Sequence, residues 1–289
     1  HLIAGFHAPT SGAIRFKGRL HGWEWLNEIT PGGTDAPVEE YLELVRTGTK
    51  AAKAVDPNIT TMLAGGLWPR SFRLAVLKAG AGKFVDVLPV HYANGSGVAE
   101  AADDLRAVGC GNVQVWDDET ARGLSTWDAP PAFDLTHTLQ PNWVLTNWPD
   151  ELAAGCRKIV YFGGQADPAG NWSYLYDDLS PRPVAATLAV LVSRLHGAKP
   201  AGVFNLGSGG LFHLFERDGK AILLASSYVE GERIDLPVGA ERVEVVDYQG
   251  NGQELACPGG TAPLTLGPLR VWIDGTNLDV LKAQLVAQV

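Results

Sequence analysis

The chain has 289 residues, 46% of them hydrophobic, with 23 basic and 32 acidic residues and a formal net charge of -9. That balance argues against a nucleic-acid binder, which carries a basic stripe, and against attachment to anionic lipid. No apolar run of about 18 residues marks a membrane span, and the cysteines, Cys110, Cys156 and Cys257, are too few and too scattered for a disulfide framework or a metal knuckle.

His1 opens the chain with neither a starter methionine nor a signal-peptide pattern, so the compartment, secreted or cytoplasmic, stays open. Leu2–Phe6 is a short apolar run, and Leu20–Leu26 is the next. Thr34-Asp35 can cap a helix whose apolar positions are Val38, Tyr41, Leu42, Val45 and Ala52, at helical spacing. Asp56-Pro57-Asn58 stops it. A strand at Ile59–Ala64, a helix around Phe72–Lys78, a strand at Phe84–His91 and a helix through Val98, Ala101, Leu105 and Val108 follow. Val113–Trp116 is strand-like, a long Trp-rich connection and a helix lead to the strand Lys158–Phe162, and a helix covers about Pro183–Leu195. Strands alternating with helices indicate parallel β/α units. The long connections after the strands carry the Trp, Tyr, His and acidic residues, which favours a barrel with its chemistry on those loops. Gly207-Ser208-Gly209-Gly210 opens no helix, so it is no phosphate loop of a doubly wound sheet.

After Gly197 the pattern changes to short strands separated by turns such as Arg217-Asp218-Gly219: Val203–Leu206, Leu211–Glu216, Ala221–Ser226, Val243–Tyr248 and Arg270–Ile273. This predicts an α/β chain of two domains, a (β/α)-barrel at 1–197 and an antiparallel β-sandwich at 198–289. Leu278–Val289 has helical spacing.

Two carboxylates end apolar strands. Glu28 follows Asn27 in Trp23-Glu24-Trp25-Leu26-Asn27-Glu28, and Glu119 follows Val115-Trp116-Asp117-Asp118. A barrel gathers its strand ends around one mouth, so the two can meet despite their distance in sequence. A pair of carboxyls flanking a glycosidic bond is the machinery of its hydrolysis. Asp117 and Asp118 compete with Glu119 for the second role. His91 and Tyr92 end another strand, where either can orient a carboxylate. Nine tryptophans are present, and Trp faces stack on the C–H faces of sugars. Trp116 and Trp172 are the candidates here.

Phe16-Lys17-Gly18-Arg19 with Trp23–Glu28 resembles the fourth-strand signature of the clan A glycoside hydrolases, a run of the form RYKGRIxxWEIWNEP. Trp116–Gly123 is similar to the seventh-strand signature VWxTExG, Leu88–Tyr92 to the sixth-strand motif SxHxY, and Lys50–Asn58 to the helix after the acid/base strand. The most similar members are family 39-like, with a C-terminal β-sandwich. The resemblance implies that Glu28 is the general acid/base, Glu119 the nucleophile and Asn27 a ligand of the sugar 2-hydroxyl. It implies a retaining double displacement on an oligo- or polysaccharide or other glycoside, with no metal or organic cofactor. Ile29 replaces the clan's usual proline. By this alignment Leu2–Phe6 is the third strand, so the chain is expected to hold about strands three to eight of the barrel, with a homo-oligomer as one way to complete it. A non-catalytic carbohydrate-binding or assembly protein derived from the same fold is the alternative.

Overall fold

The structure is a computed structural model that describes residues 18–30, 37–122, 133–163, 173–176 and 178–287. The expected strand Leu2–Phe6, the first part of the Phe16–Arg19 match, the Thr34-Asp35 cap, Gly123 and Trp172 lie outside these residues.

One compact unit holds the described residues up to Thr120 together with Ala154–Val160. Its strands are β1 (Gly22–Glu24), β2 (Thr60–Met62), β3 (Val87–His91), β4 (Gln114–Thr120) and β5 (Ile159–Tyr161), whose last residue begins the other unit. They form one sheet in sequence order, parallel from β1 through β4. The helices between them are α1 (Val38–Val55), α2 (Arg70–Lys78) and α3 (Gly95–Ala107). Strand–helix alternation with strands in sequence order is what the apolar runs predicted. Two boundaries differ. The N-cap of α1 is Pro37, which offers no side-chain hydrogen bond. β4 runs on past Trp116 to Thr120, so its acidic residues belong to the strand and not to a loop.

Helix and sheet faces meet in a core of Tyr41, Val45, Leu63, Val76, Leu77, Leu88, Val98, Ala101, Leu105 and Val115, with Ile29 sealed into it at 1% exposure. That burial explains Ile29: an apolar side chain fills the site where the signature has proline. Tyr41 is fully buried, and its hydroxyl accepts the Ala64 N–H at 2.6 Å. Trp25 lies so close over α1 that a Cβ on Gly48 would sit 2.5 Å from its ring, and the indole N–H donates to Thr49 Oγ1 at 3.0 Å. Asp104 of α3, 3% exposed, binds Arg73 at 2.6 Å and Arg70 at 2.7 Å and so fastens α2 to α3.

The other unit takes Ala121–Ala153 and the residues from Tyr161 on, as far as described. It contains α4 (Phe133–Ala153) and α5 (Pro183–Leu195) as well as the antiparallel strands, so compactness groups these two helices with the strands that follow residue 197. The strands are β6 (Lys199–Leu206), β7 (Gly210–Arg217), β8 (Lys220–Ser227), β9 (Glu232–Pro237), β10 (Arg242–Val246), β11 (Gly252–Ala256), β12 (Thr261–Leu266) and β13 (Val271–Asp274). Six make a sheet of order β11-β10-β13-β8-β7-β6, and β12 pairs with β9 in a two-stranded ribbon. Phe204, Phe212, Leu223, Ile234, Leu236, Leu264 and Ile273 share one core, in which Phe204 and Phe212 stack at 5.0 Å. Helix α6 (Leu278–Val286) buries Leu281 completely in it. Asp150 of α4 joins the sheet by accepting from His213 Nε2 at 2.7 Å and from Arg270 at 3.2 Å.

Candidate active site

The site is built by strand ends of the first unit. Beyond β1 the chain leaves regular pairing: Asn27 bridges to Gly65, and the Glu28 N–H donates to the Gly65 carbonyl at 2.8 Å. Leu26, Glu28 and Tyr92 adopt left-handed backbone, with φ of 72°, 50° and 49°. Non-glycine residues held this way concentrate at functional sites. Here they aim Glu28 and Tyr92 out of the ends of two strands.

A bulge sets the opposing carboxylates. Val90 of β3 pairs with Asp117, but His91 pairs with Glu119, so Asp118 is the extra residue in β4. Strand alternation alone would send Asp118 and Glu119 to opposite faces. The bulge turns both toward His91, as bulges beside active sites do. Asp117, fully buried, accepts the Ala93 N–H at 2.9 Å instead and fixes the turn after β3.

His91 is the hub, with its side chain 1% exposed. Its Nδ1 lies 3.1 Å from Glu28 Oε1 and 4.0 Å from Glu119 Oε2, and its Nε2 lies 3.4 Å from Asp118 Oδ1. The ring needs the missing side chain of Gly65, where a Cβ would fall 2.1 Å from Nε2. Trp68, 43% exposed, meets the imidazole edge-on at 6.2 Å. The Tyr92 hydroxyl donates to Glu119 Oε1 at 3.0 Å. One oxygen each of Glu28 and Glu119, with His91 Nδ1, lie within 4.8 Å of one another.

The electrostatics follow from crowding four carboxyls around one imidazole. Burial works against a charged His91, but hydrogen bonds to Asp118 and Glu28 and the charge of Glu119 outweigh it and raise its pKa to about 9. Burial, then the charge of Asp118, raises Glu24 to about 7, against the Gly65 N–H that favours its ionised form. Burial and the neighbouring Glu119 carboxylate push the Tyr92 hydroxyl up, which keeps it a donor. Two trios, Glu24-His91-Asp118 and Glu28-His91-Glu119, have the spacing of metal ligands.

Of the residues singled out in the sequence, Glu28, Glu119, His91 and Tyr92 are brought together. Asn27 is exposed on the same segment as Glu28, its backbone bridged to Gly65. Trp116 is not in this cluster: its indole N–H donates to Gln114 at 2.9 Å, and Lys158 Nζ lies 4.0 Å over its ring. Glu24 and Trp68 were not singled out. Glu24 had a signal, since it lies within the matched run and an intact strand alternation puts it on one face with Gly22. Trp68 had none beyond its residue type.

No protein-family model matches the chain, and no curated protein does. Solved structures do. A family 39 glycoside hydrolase from the gut symbiont Bacteroides cellulosilyticus WH2 superposes with a TM-score of 0.71 at 19% identity, over 91% of this chain and 59% of that one. A family 30 endoxylanase from Clostridium papyrosolvens C71 gives 0.63 at 15%, over 88% and 65%. A family 51 arabinofuranosidase from Xanthomonas axonopodis pv. citri gives 0.60 at 14%, over 87% and 65%. The chain spans less than two thirds of the length of each. The chain shares its fold with these glycoside hydrolases over the part it spans, and the sequence motifs resemble the same clan.

Proposed function

We propose that the protein is a retaining glycoside hydrolase, built on about strands three to eight of a (β/α)8 barrel at 1–197 and followed by a β-sandwich at 198–289. The observation that carries this reading is the approach of Glu28 and Glu119 within 4.8 Å, oxygen to oxygen. Retaining enzymes hold their two carboxyl groups about 5–5.5 Å apart, and inverting enzymes about 6.5–9.5 Å, to leave room for a water. The short separation leaves the second carboxylate to attack the sugar itself.

The roles divide by environment. Glu119 is the nucleophile: Tyr92 donates to one oxygen, which orients the carboxylate and leaves the other for the anomeric carbon. Glu28 is the acid/base. It donates its proton to the leaving oxygen as the C–O bond breaks and the Glu119–sugar ester forms. It then takes a proton from water as water displaces Glu119. Asn27 is set to bind the sugar 2-hydroxyl, and Trp116 and Trp172 remain stacking candidates. Trp68, half-exposed beside His91, offers another face for a sugar ring. Substrates are oligo- or polysaccharides or simpler glycosides. An endoxylanase and an arabinofuranosidase among the structural neighbours make pentosides the first to test, and a homo-oligomer is proposed to complete the barrel.

The test is hydrolysis of 4-nitrophenyl β-D-xyloside, 4-nitrophenyl α-L-arabinofuranoside and xylan by the wild type and by Glu28→Gln. The variant should lose roughly 10²–10⁴-fold with a poor leaving group and far less with a dinitrophenolate, which needs no proton. Equal turnover by wild type and variant on a poor leaving group would remove Glu28 from the mechanism. Saccharide binding without hydrolysis would favour the non-catalytic alternative.

A further inference from the structure

His91 Nδ1 faces the proposed reacting pair, Glu28 and Glu119, and its other nitrogen, with the two carboxyls behind it, has no role in the catalytic reading. His91 Nε2 lies 3.4 Å from Asp118 Oδ1, and one oxygen each of Glu24 and Asp118 lies with a ring nitrogen of His91 within 4.8 Å of one another. Glu24 Oε1 is anchored by the Gly65 N–H at 2.6 Å, and the same glycine makes the room for the imidazole. Two carboxylates this close penalise each other's ionisation, which favours a proton on one of the pair. Asp118, the extra residue of the bulge, pairs with no residue of β3, and the bulge brings its carboxyl to His91 together with that of Glu119.

Resting on the assignment of Glu28 and Glu119 as the reacting pair, we infer that Glu24 and Asp118 are a positioning pair for His91. Glu24 holds the proton and donates it to Asp118. Asp118 accepts the Nε2–H of His91. The imidazolium fixed in this way presents its Nδ1–H between Glu28 and Glu119. It holds the two carboxyl groups at reacting distance in the free enzyme. Other groups also face this pair: Tyr41 of α1, Tyr92 and Ala93 N–H after β3, Asp117 and Glu119 of β4, and Glu28 across the imidazole.

The experiment compares Glu24→Gln, Glu24→Ala and Asp118→Asn with Glu28→Gln, reading kcat and KM on 4-nitrophenyl β-D-xyloside against pH and the His91 titration by ¹H–¹⁵N NMR. A glutamine amide copies a protonated Glu24, with an oxygen for Gly65 and an N–H for Asp118. Glu24→Gln should therefore keep kcat within about threefold of wild type and hold it further into the alkaline range. Glu24→Ala should lower kcat on the order of 10²-fold with a smaller change in KM. Asp118→Asn should lower the His91 pKa by roughly a unit or more. Loss in Glu24→Gln as deep as in Glu24→Ala, or a His91 titration unmoved in Asp118→Asn, would overturn the pair. If Glu24→Ala does not fold, the two isosteric variants still decide. Wild-type turnover in Glu28→Gln would defeat the catalytic reading alone, and the NMR titration would still judge the positioning pair.

Discussion

Two buried charge clusters among the described residues contain a histidine, and they are built in opposite proportions. In the cluster around Asp150, one carboxylate serves two cationic or donor groups, His213 at 2.7 Å and Arg270 at 3.2 Å, both nearly inaccessible. In the cluster around His91, a single imidazole faces Glu28, Glu119 and Asp118, with Glu24 behind them. Desolvation opposes the charges in both. Around Asp150 the hydrogen bond to His213 and the charge of Arg270 overcome it, and the carboxyl is held below its ordinary range. Around His91 burial and repulsion carry a carboxyl far upward instead. The first arrangement fastens a helix to a sheet. The second crowds carboxyls around one imidazole, the arrangement expected of a site that trades stability for chemistry.

Substitutions should separate the two. Glu119→Gln removes the proposed nucleophile and should lower kcat by about 10⁴-fold or more, about 5 kcal/mol in the barrier, while thermal unfolding stays near wild type. Asp150→Asn should do the reverse: it leaves two buried partners uncompensated and costs about 2 kcal/mol of stability, a figure reduced because the carboxylate is partly exposed. Chemical denaturation should show that loss with kcat unchanged. Tyr92→Phe deletes the donor to Glu119 and should lower kcat about tenfold, the weight of one hydrogen bond to a charged group. The smallest effect is the most diagnostic. His91 is raised to about 9 and Glu24 to about 7, so in the folded state each keeps its proton to a higher pH than in the unfolded chain. Folding then binds protons, and the stability due to these groups is complete at low pH. It is lost as pH rises through about 7 for Glu24 and about 9 for His91. Melting temperatures of wild type and Glu24→Gln should agree at acid pH, and the variant should melt higher at pH above 7. A wild type that melts higher than the variant there would reverse the proposed protonation of Glu24.

The sequence showed more of the scaffold than of the site. Apolar periodicity placed α1 to within its capping residue, because Tyr41 and Val45 are buried at helical spacing. It missed β9 and β12, although Ile234 and Leu236, and Ala262 and Leu264, alternate with exposed residues. Their charged residues and prolines masked the period of two. It missed β11 because that strand buries little. Glu28, Glu119, His91 and Tyr92 were legible because each ends an apolar strand in a recognisable run. The role of Asp118 was not. It depends on a one-residue bulge, and a bulge leaves no mark in the pattern that a regular strand or loop would not also leave. Glu24 lay within a matched run, but only the fold brings it to Gly65 and Asp118.

The most direct test of the account is the stereochemistry of the first product. Hydrolysis of 4-nitrophenyl β-D-xyloside or of xylan, followed by ¹H NMR before mutarotation, reads the anomer released. The account predicts that the β-anomer appears first, from two displacements at Glu119. Initial release of the α-anomer, or no hydrolysis of any glycoside by a folded protein, would contradict it.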